Sequence, residues 1–243
     1  LSLHDALPIC QVLQTMLPEP FGAERYNNVD LIYGWADMDL AIASDRQNDS
    51  LAVFAIDPET RRLTEITAPE VPMIFGGEPG EDTAYGLAAA MVDGMPYAFI
   101  TRADSNQVAQ VRLRMAENGG VTYEQARLIE LPIPPIDADT PAEDMAAAQA
   151  EALEDAQAEG LVVDRELGIL YIGQENMGVW RFDAHPDSVA DGRPVDRLKE
   201  MGGHLVNDVE GLTIYYGADG AGYLLVSSQG EHLFAVYDRQ SNA

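Results

Sequence analysis

The sequence predicts an all-β protein: a β-propeller of about four blades in an incomplete ring, interrupted by one inserted Ala/Glu-rich helix. Three observations carry this expectation. A short opener recurs, as Asn28-Val29-Asp30-Leu31, Ala84-Tyr85-Gly86-Leu87, Ala158-Glu159-Gly160-Leu161 and Val209-Glu210-Gly211-Leu212. Each opener is followed by β-prone runs separated by short loops, with Asp-Gly or Gly-rich turns among them. Recurrence at a period of about 50 residues is the signature of arrays and propellers.

Taken in order, residues 1–10 fit nothing downstream. They lack the basic start and apolar stretch of a secretion signal and read as a non-native, adapter-like leader. The propeller domain then spans 11–243 and reads as cut at both ends, with 11–15 as the last strand of a preceding blade. The first blade continues from its opener through runs at 38–43 and 50–57. The second has a Val92-Asp93-Gly94 turn and runs at 97–101 and 107–113.

A proline-rich linker, Leu131-Pro132-Ile133-Pro134-Pro135-Ile136, leads into an Ala/Glu-rich helix over about 140–158. Thr140 is its expected N-cap, Pro141 its first helical residue, and the acids that follow suit the positive end of the dipole. The helix lengthens one repeat and reads as an exposed decoration without chemistry. The third blade resumes with a turn at 164–168 and runs at 170–173 and 178–183. The fourth has a turn at 218–222 and runs at 223–228 and 233–238.

Composition excludes several classes. With 47% apolar residues the chain is not disordered, and no apolar run approaches the roughly 18 residues of a membrane span. Its 41 acidic residues against 14 basic give a net charge of −27, which repels nucleic acid and anionic membranes and attracts divalent cations. Cys10 is the single cysteine, so no intrachain disulfide forms. His4, His185, His204 and His232 have no zinc-ligand spacing, and neither a nucleophile elbow nor a phosphate loop occurs.

Oxygen chemistry remains. The start of each blade's innermost strand faces a propeller's central channel, so the repeat sets Asp30, Tyr85, Glu159 and the pair Asp208 and Glu210 around one mouth. Carboxylates two apart on a strand share a side. A hard-oxygen cluster of this kind selects Ca²⁺, several ions for so many donors; a rim of solvated acids is the alternative. After the second strand of each blade come Arg46, Arg102, Glu175 and Gln229. The guanidinium forks suit phosphate, with surface ion pairing as the plainer account of each.

These stretches resemble the β-propeller phytases, six-bladed calcium-dependent enzymes that hydrolyse phytate. The resemblance runs from about residue 11 to the C-terminus, the helical insertion apart. It is most specific at Asp208-Val209-Glu210-Gly211-Leu212-Thr213-Ile214-Tyr215-Tyr216 and Ser227-Ser228-Gln229-Gly230. It implies Tyr85, Glu159, Glu175, Asp208 and Glu210 as calcium ligands, with Glu159, Asp208, Glu210 and Arg46 as the catalytic set.

Arg46 would grip a substrate phosphate, and Arg102 would stand in, one place displaced, for a lysine of the family. The implied protein is a secreted or periplasmic 3-phytase type phosphomonoesterase, a monomer when complete. It would take phytate as its calcium salt and attack it with metal-activated water. The competing expectations are another calcium-dependent propeller hydrolase, lactonase-like, and a non-catalytic interaction propeller.

Overall fold

The computed structural model describes residues 12–16, 24–76, 83–117 and 119–242. The leader at 1–10 lies outside the described residues. Among the described residues, fifteen strands form four antiparallel sheets, each a meander in which consecutive strands pair. Blade one is β1 (Tyr26–Trp35), β2 (Met38–Asp45), β3 (Ser50–Ile56) and β4 (Leu63–Glu65). Blade two is β5 (Ala84–Val92), β6 (Met95–Arg102), β7 (Gln107–Met115) and β8 (Val121–Glu130). Helix α1 (Met145–Asp155) precedes blade three, which is β9 (Ala158–Asp164), β10 (Ile169–Gln174), β11 (Gly178–Asp183) and β12 (Arg193–Arg197). Blade four has β13 (Val209–Tyr216), β14 (Gly222–Ser228) and β15 (Leu233–Asp238).

The inner strands β1, β5, β9 and β13 stand side by side in that order, the arrangement of successive propeller blades. Both faces of an internal sheet are covered, so its strands are apolar on both sides rather than alternating. In β5, Leu87 and Ala89 face blade one, while Ala88 and Ala90 face blade three. Among the described residues the core is therefore three wedges between neighbouring sheets, with a fourth, smaller cluster around Phe54 on the outer face of blade one. Ile42 and Ile100 lie in the first, Phe99 and Ile172 in the second, and Tyr171 and Leu224 in the third. The Asp93-Gly94 turn joins β5 to β6 with both residues at positive φ, 49° and 76°, as the twist of a tight hairpin requires.

Two expectations about the chain's course change. Residues 12–16 form no strand; instead the Gln14 amide brackets Leu63 on the outer edge of β4, donating to its carbonyl at 3.0 Å and accepting from its N–H at 2.8 Å. Helix α1 begins at Met145, with Asp144 rather than Thr140 at the cap and no acid in its first turn. Local hydrogen bonds delay it. The Asp137 carboxylate takes the Asp139 N–H and its carbonyl takes the Thr140 N–H, and a second turn from Pro141 to Asp144 follows.

Candidate active site at the blade rim

Each inner strand carries one extra residue at the same place. Between Ala84↔Arg102 and Leu87↔Ile100, β5 advances three residues while β6 advances two. The same slip lies between Tyr26 and Val29, between Ala158 and Leu161, and between Val209 and Leu212. Such a bulge re-aims a side chain at the rim of a sheet. The residues it presents are Asn27, Tyr85, Glu159 and Glu210. The first-blade register therefore differs from the sequence expectation by a shift toward the N-terminus, because the Asp-Leu pair that mimics the opener lies past the bulge. Asp30 lies deeper, where it stitches β1 to β5 by accepting the Ala89 N–H at 2.7 Å and its neighbour Leu31 N–H at 2.8 Å.

The residue after each bulge position decides how closely blades approach. A Cβ on Gly86 would lie 1.9 Å from the Glu159 carbonyl oxygen, and one on Gly160 would lie 1.6 Å from that of Glu210. These two glycines let the carbonyl of the next blade sit against them, which brings the rim side chains of adjacent blades together.

The shelf after the second strand follows the same repeat through a backbone hydrogen bond. The N–H groups of Arg46, Ala103, Glu175 and Gln229 donate to the carbonyls of Arg25, Thr83, Gln157 and Asp208, at 2.9, 3.0, 3.0 and 2.9 Å. Ala103 thus holds the shelf position of blade two. Arg102, one residue earlier, donates to Gln107 at 3.0 Å and lies 5.8 Å from the Phe75 ring.

The remaining side chains converge. The Arg46 guanidinium lies 4.6 Å over the Tyr85 ring and its Nη1 donates to Asn27 at 3.4 Å. The Tyr85 hydroxyl donates to Glu159 at 3.3 Å, and the Gln229 amide donates to Glu210. Glu175, half-buried, accepts from the Gln157 amide at 2.8 Å.

Electrostatics register the crowding. Burial pushes the Glu175 carboxyl up, and the charges of Glu159, Asp208 and Asp104 push it the same way against the Gln157 hydrogen bond. Burial, then Glu159, Asp208 and Glu175, raise Glu210. Tyr85 is pushed up to about 12 by burial and by Glu159 and Glu175, with Arg46 opposing. Like charges that raise one another's proton affinity form a site that a cation would relieve.

Tyr85, Glu159, Glu175, Asp208 and Glu210 supply hard oxygen donors, the chemistry that suits Ca²⁺. Among the described residues, no group of three or more His, Cys, Asp or Glu side chains is already arranged to hold an ion. The donor set fits such a metal in chemistry. Gln157 is not marked by residue type, although Gln157-Ala158-Glu159 repeats Asp208-Val209-Glu210 with an amide in place of a carboxylate.

Residues 149–243 match the family model described as Phytase. Over 222 residues the chain is 34% identical to a 3-phytase of Bacillus subtilis (strain 168), covering 89% of this chain and 51% of that protein. The chain spans about half the length of that relative. Among solved structures, a protein from Bacteroides uniformis ATCC 8492, provisionally assigned as a 6-phosphogluconolactonase, superposes with a TM-score of 0.51 at 14% identity. That match covers 90% of this chain and 51% of the other. At that identity it shows a shared fold alone. Pseudomonas aeruginosa periplasmic gluconolactonase gives a TM-score of 0.48 at 18% identity, covering 90% and 52%.

Proposed function

We propose that this chain, a relative of the phytases by these matches, carries the rim of a phosphomonoesterase that releases phosphate from phytate with the help of bound Ca²⁺. The observation that supports this reading is the electrostatic neighbourhood of Tyr85, Glu159, Glu175, Asp208 and Glu210, from blades two, three and four, beside the Arg46 guanidinium of blade one. Tyr85, Glu159, Glu175, Asp208 and Glu210 would hold the ions. Bound there, Ca²⁺ would neutralise carboxylates and substrate together and acidify water for attack on phosphorus.

The chain's own residues do the rest. Arg46 presents its guanidinium edge to phosphoryl oxygens while its face rests on Tyr85, so the fork is oriented before substrate arrives. That orientation favours the equatorial charge of a phosphoryl-transfer transition state. Tyr85, held protonated well above neutral pH, donates to Glu159 and fixes where that carboxylate points. Without cations, a phosphorylated anion meets a chain of charge −27 and is repelled.

The test is phosphate release from phytate with added calcium, with a chelator, and with the Glu159→Gln/Asp208→Asn variant. Release that needs calcium and disappears in the variant is expected. Release that persists in chelator, or in the variant at the wild-type rate, overturns the reading.

A further inference from the structure

Gln157 stands where a merely connecting residue would not need to be. By the backbone repeat it is the third-blade counterpart of Asp208, each being the residue whose carbonyl accepts the shelf N–H of its blade. All of its polar groups are committed. Its Nε2 donates to Glu175 at 2.8 Å, its Oε1 accepts the Asp104 N–H at 2.6 Å, its carbonyl accepts the Glu175 N–H at 3.0 Å, and its own N–H donates to Glu154 in the last turn of α1 at 3.0 Å.

One residue therefore joins the helical insertion through its backbone and, through its side chain, the β6–β7 loop of blade two and a rim carboxylate of blade three. The neighbouring residue secures the same junction. Gln174 is fully buried, and its Nε2 donates both to the Pro132 carbonyl at 3.0 Å and to the Ala156 carbonyl at 2.5 Å, closing the insertion's two ends on one point.

We propose that Gln157 is a positioning residue for Glu175, and that the helical insertion is part of the site because it delivers Gln157. An amide suits this place for a definite reason. It donates to Glu175 and accepts from Asp104 at once, whereas a carboxylate would accept only and add another charge to a crowded rim. Partners that orient a ligand in this way typically change metal affinity by about 10–100-fold when removed. The inference rests on the calcium-binding reading above, and its test separates the two.

Calcium binding to the chain is measured by isothermal titration calorimetry for wild type, Gln157→Met and Glu151→Gln, with metal-free melting temperatures alongside. Glu151 is an exposed acid of α1 and serves as the control. Gln157→Met, nearly isosteric but without hydrogen bonds, is expected to weaken calcium at least about 10-fold at an unchanged metal-free melting temperature, with Glu151→Gln as wild type. Should Gln157→Met melt early without metal, Gln157→Asn decides in its place. It keeps the amide but draws it back by one methylene, and the same loss is expected. Wild-type affinity in the folded Gln157 variant overturns the inference and leaves the proposed function standing; a wild-type chain that binds no calcium overturns both.

Discussion

Arg46 and Arg102 differ by one position relative to the repeat, and that difference separates their surroundings. Arg46 lies on Tyr85 beside the carboxylates, while Arg102 faces Gln107 and Phe75. Charge-assisted hydrogen bonds contribute about 1.5–3 kcal/mol, so Arg46→Ala is expected to lower kcat/KM on phytate by about 10- to 100-fold. Arg102→Ala should leave it within about threefold, within about 0.7 kcal/mol; steady-state kinetics of the two variants check this. A third arginine is structural. Arg239, 1% exposed, grips Asp164 with Nε at 2.5 Å and Nη2 at 2.7 Å, tying blade four to blade three, and lies 4.6 Å over the Tyr216 ring.

Burial pushes the Asp164 carboxyl up, but the guanidinium and the N–H groups of Leu167 and Glu166 outweigh it and hold it below its ordinary value. A lowered folded-state pKa gives stability that is complete above the unfolded value, about 3.9, and is lost as pH falls through the folded value. Arg239→Leu strands a buried carboxylate, and the expected loss is about 3–5 kcal/mol at pH 7. Below the unfolded-state pKa the loss shrinks, because the stranded group is then neutral; urea unfolding at pH 7 and pH 3.5 measures both.

The bulged inner strand is the element that builds the candidate site, and it is half legible in the sequence. The recurring opener was visible in the sequence, and so was the Gly after it in three blades. The bulge was not, because an extra residue is defined only against the partner strand. Hence the opener pattern points to Asp30 at the rim, while Asn27 stands there in the structure. The glycines give an element-scale prediction. Gly160→Ala forces a Cβ against the Glu210 carbonyl and is expected to cost about 1–3 kcal/mol or more, since backbone must shift. Gly211→Ala, the same position in blade four, meets nothing within 4 Å and should change stability by less than about 0.5 kcal/mol. Chemical denaturation of the two variants makes the comparison.

At the scale of the whole molecule, each internal sheet is covered on both faces, and the far face of blade four is not. Phe234 is 73% exposed and Tyr215 61%, the latter stacked with Tyr223 at 6.4 Å between ring centres. Their blade-three counterpart shows the difference: Val179 takes the place of Phe234 in the repeat and is fully buried under blade four. A contiguous apolar sheet face promotes association. Static light scattering over a concentration series should show growing mass for the chain, reduced in Phe234→Ser. On the proposed reading, calcium would act on the other whole-molecule property, its net charge. Ions bound to the folded chain would stabilise it by mass action, so millimolar calcium is expected to raise the melting temperature and a chelator to reverse the rise.

The sequence by itself determined the propeller repeat and the acidic character of the chain. It also supplied nearly all the oxygen donors of the rim, because strand periodicity, turn chemistry and residue type are properties of short stretches. Only the tertiary structure decided the register of the first blade, the late start of α1 and the seat of Arg102. It also joined the end of the helical insertion to Glu175 through Gln157. Each of these depends on which backbone group faces which across a sheet or between blades, a relation that exists only once distant parts of the chain are packed together.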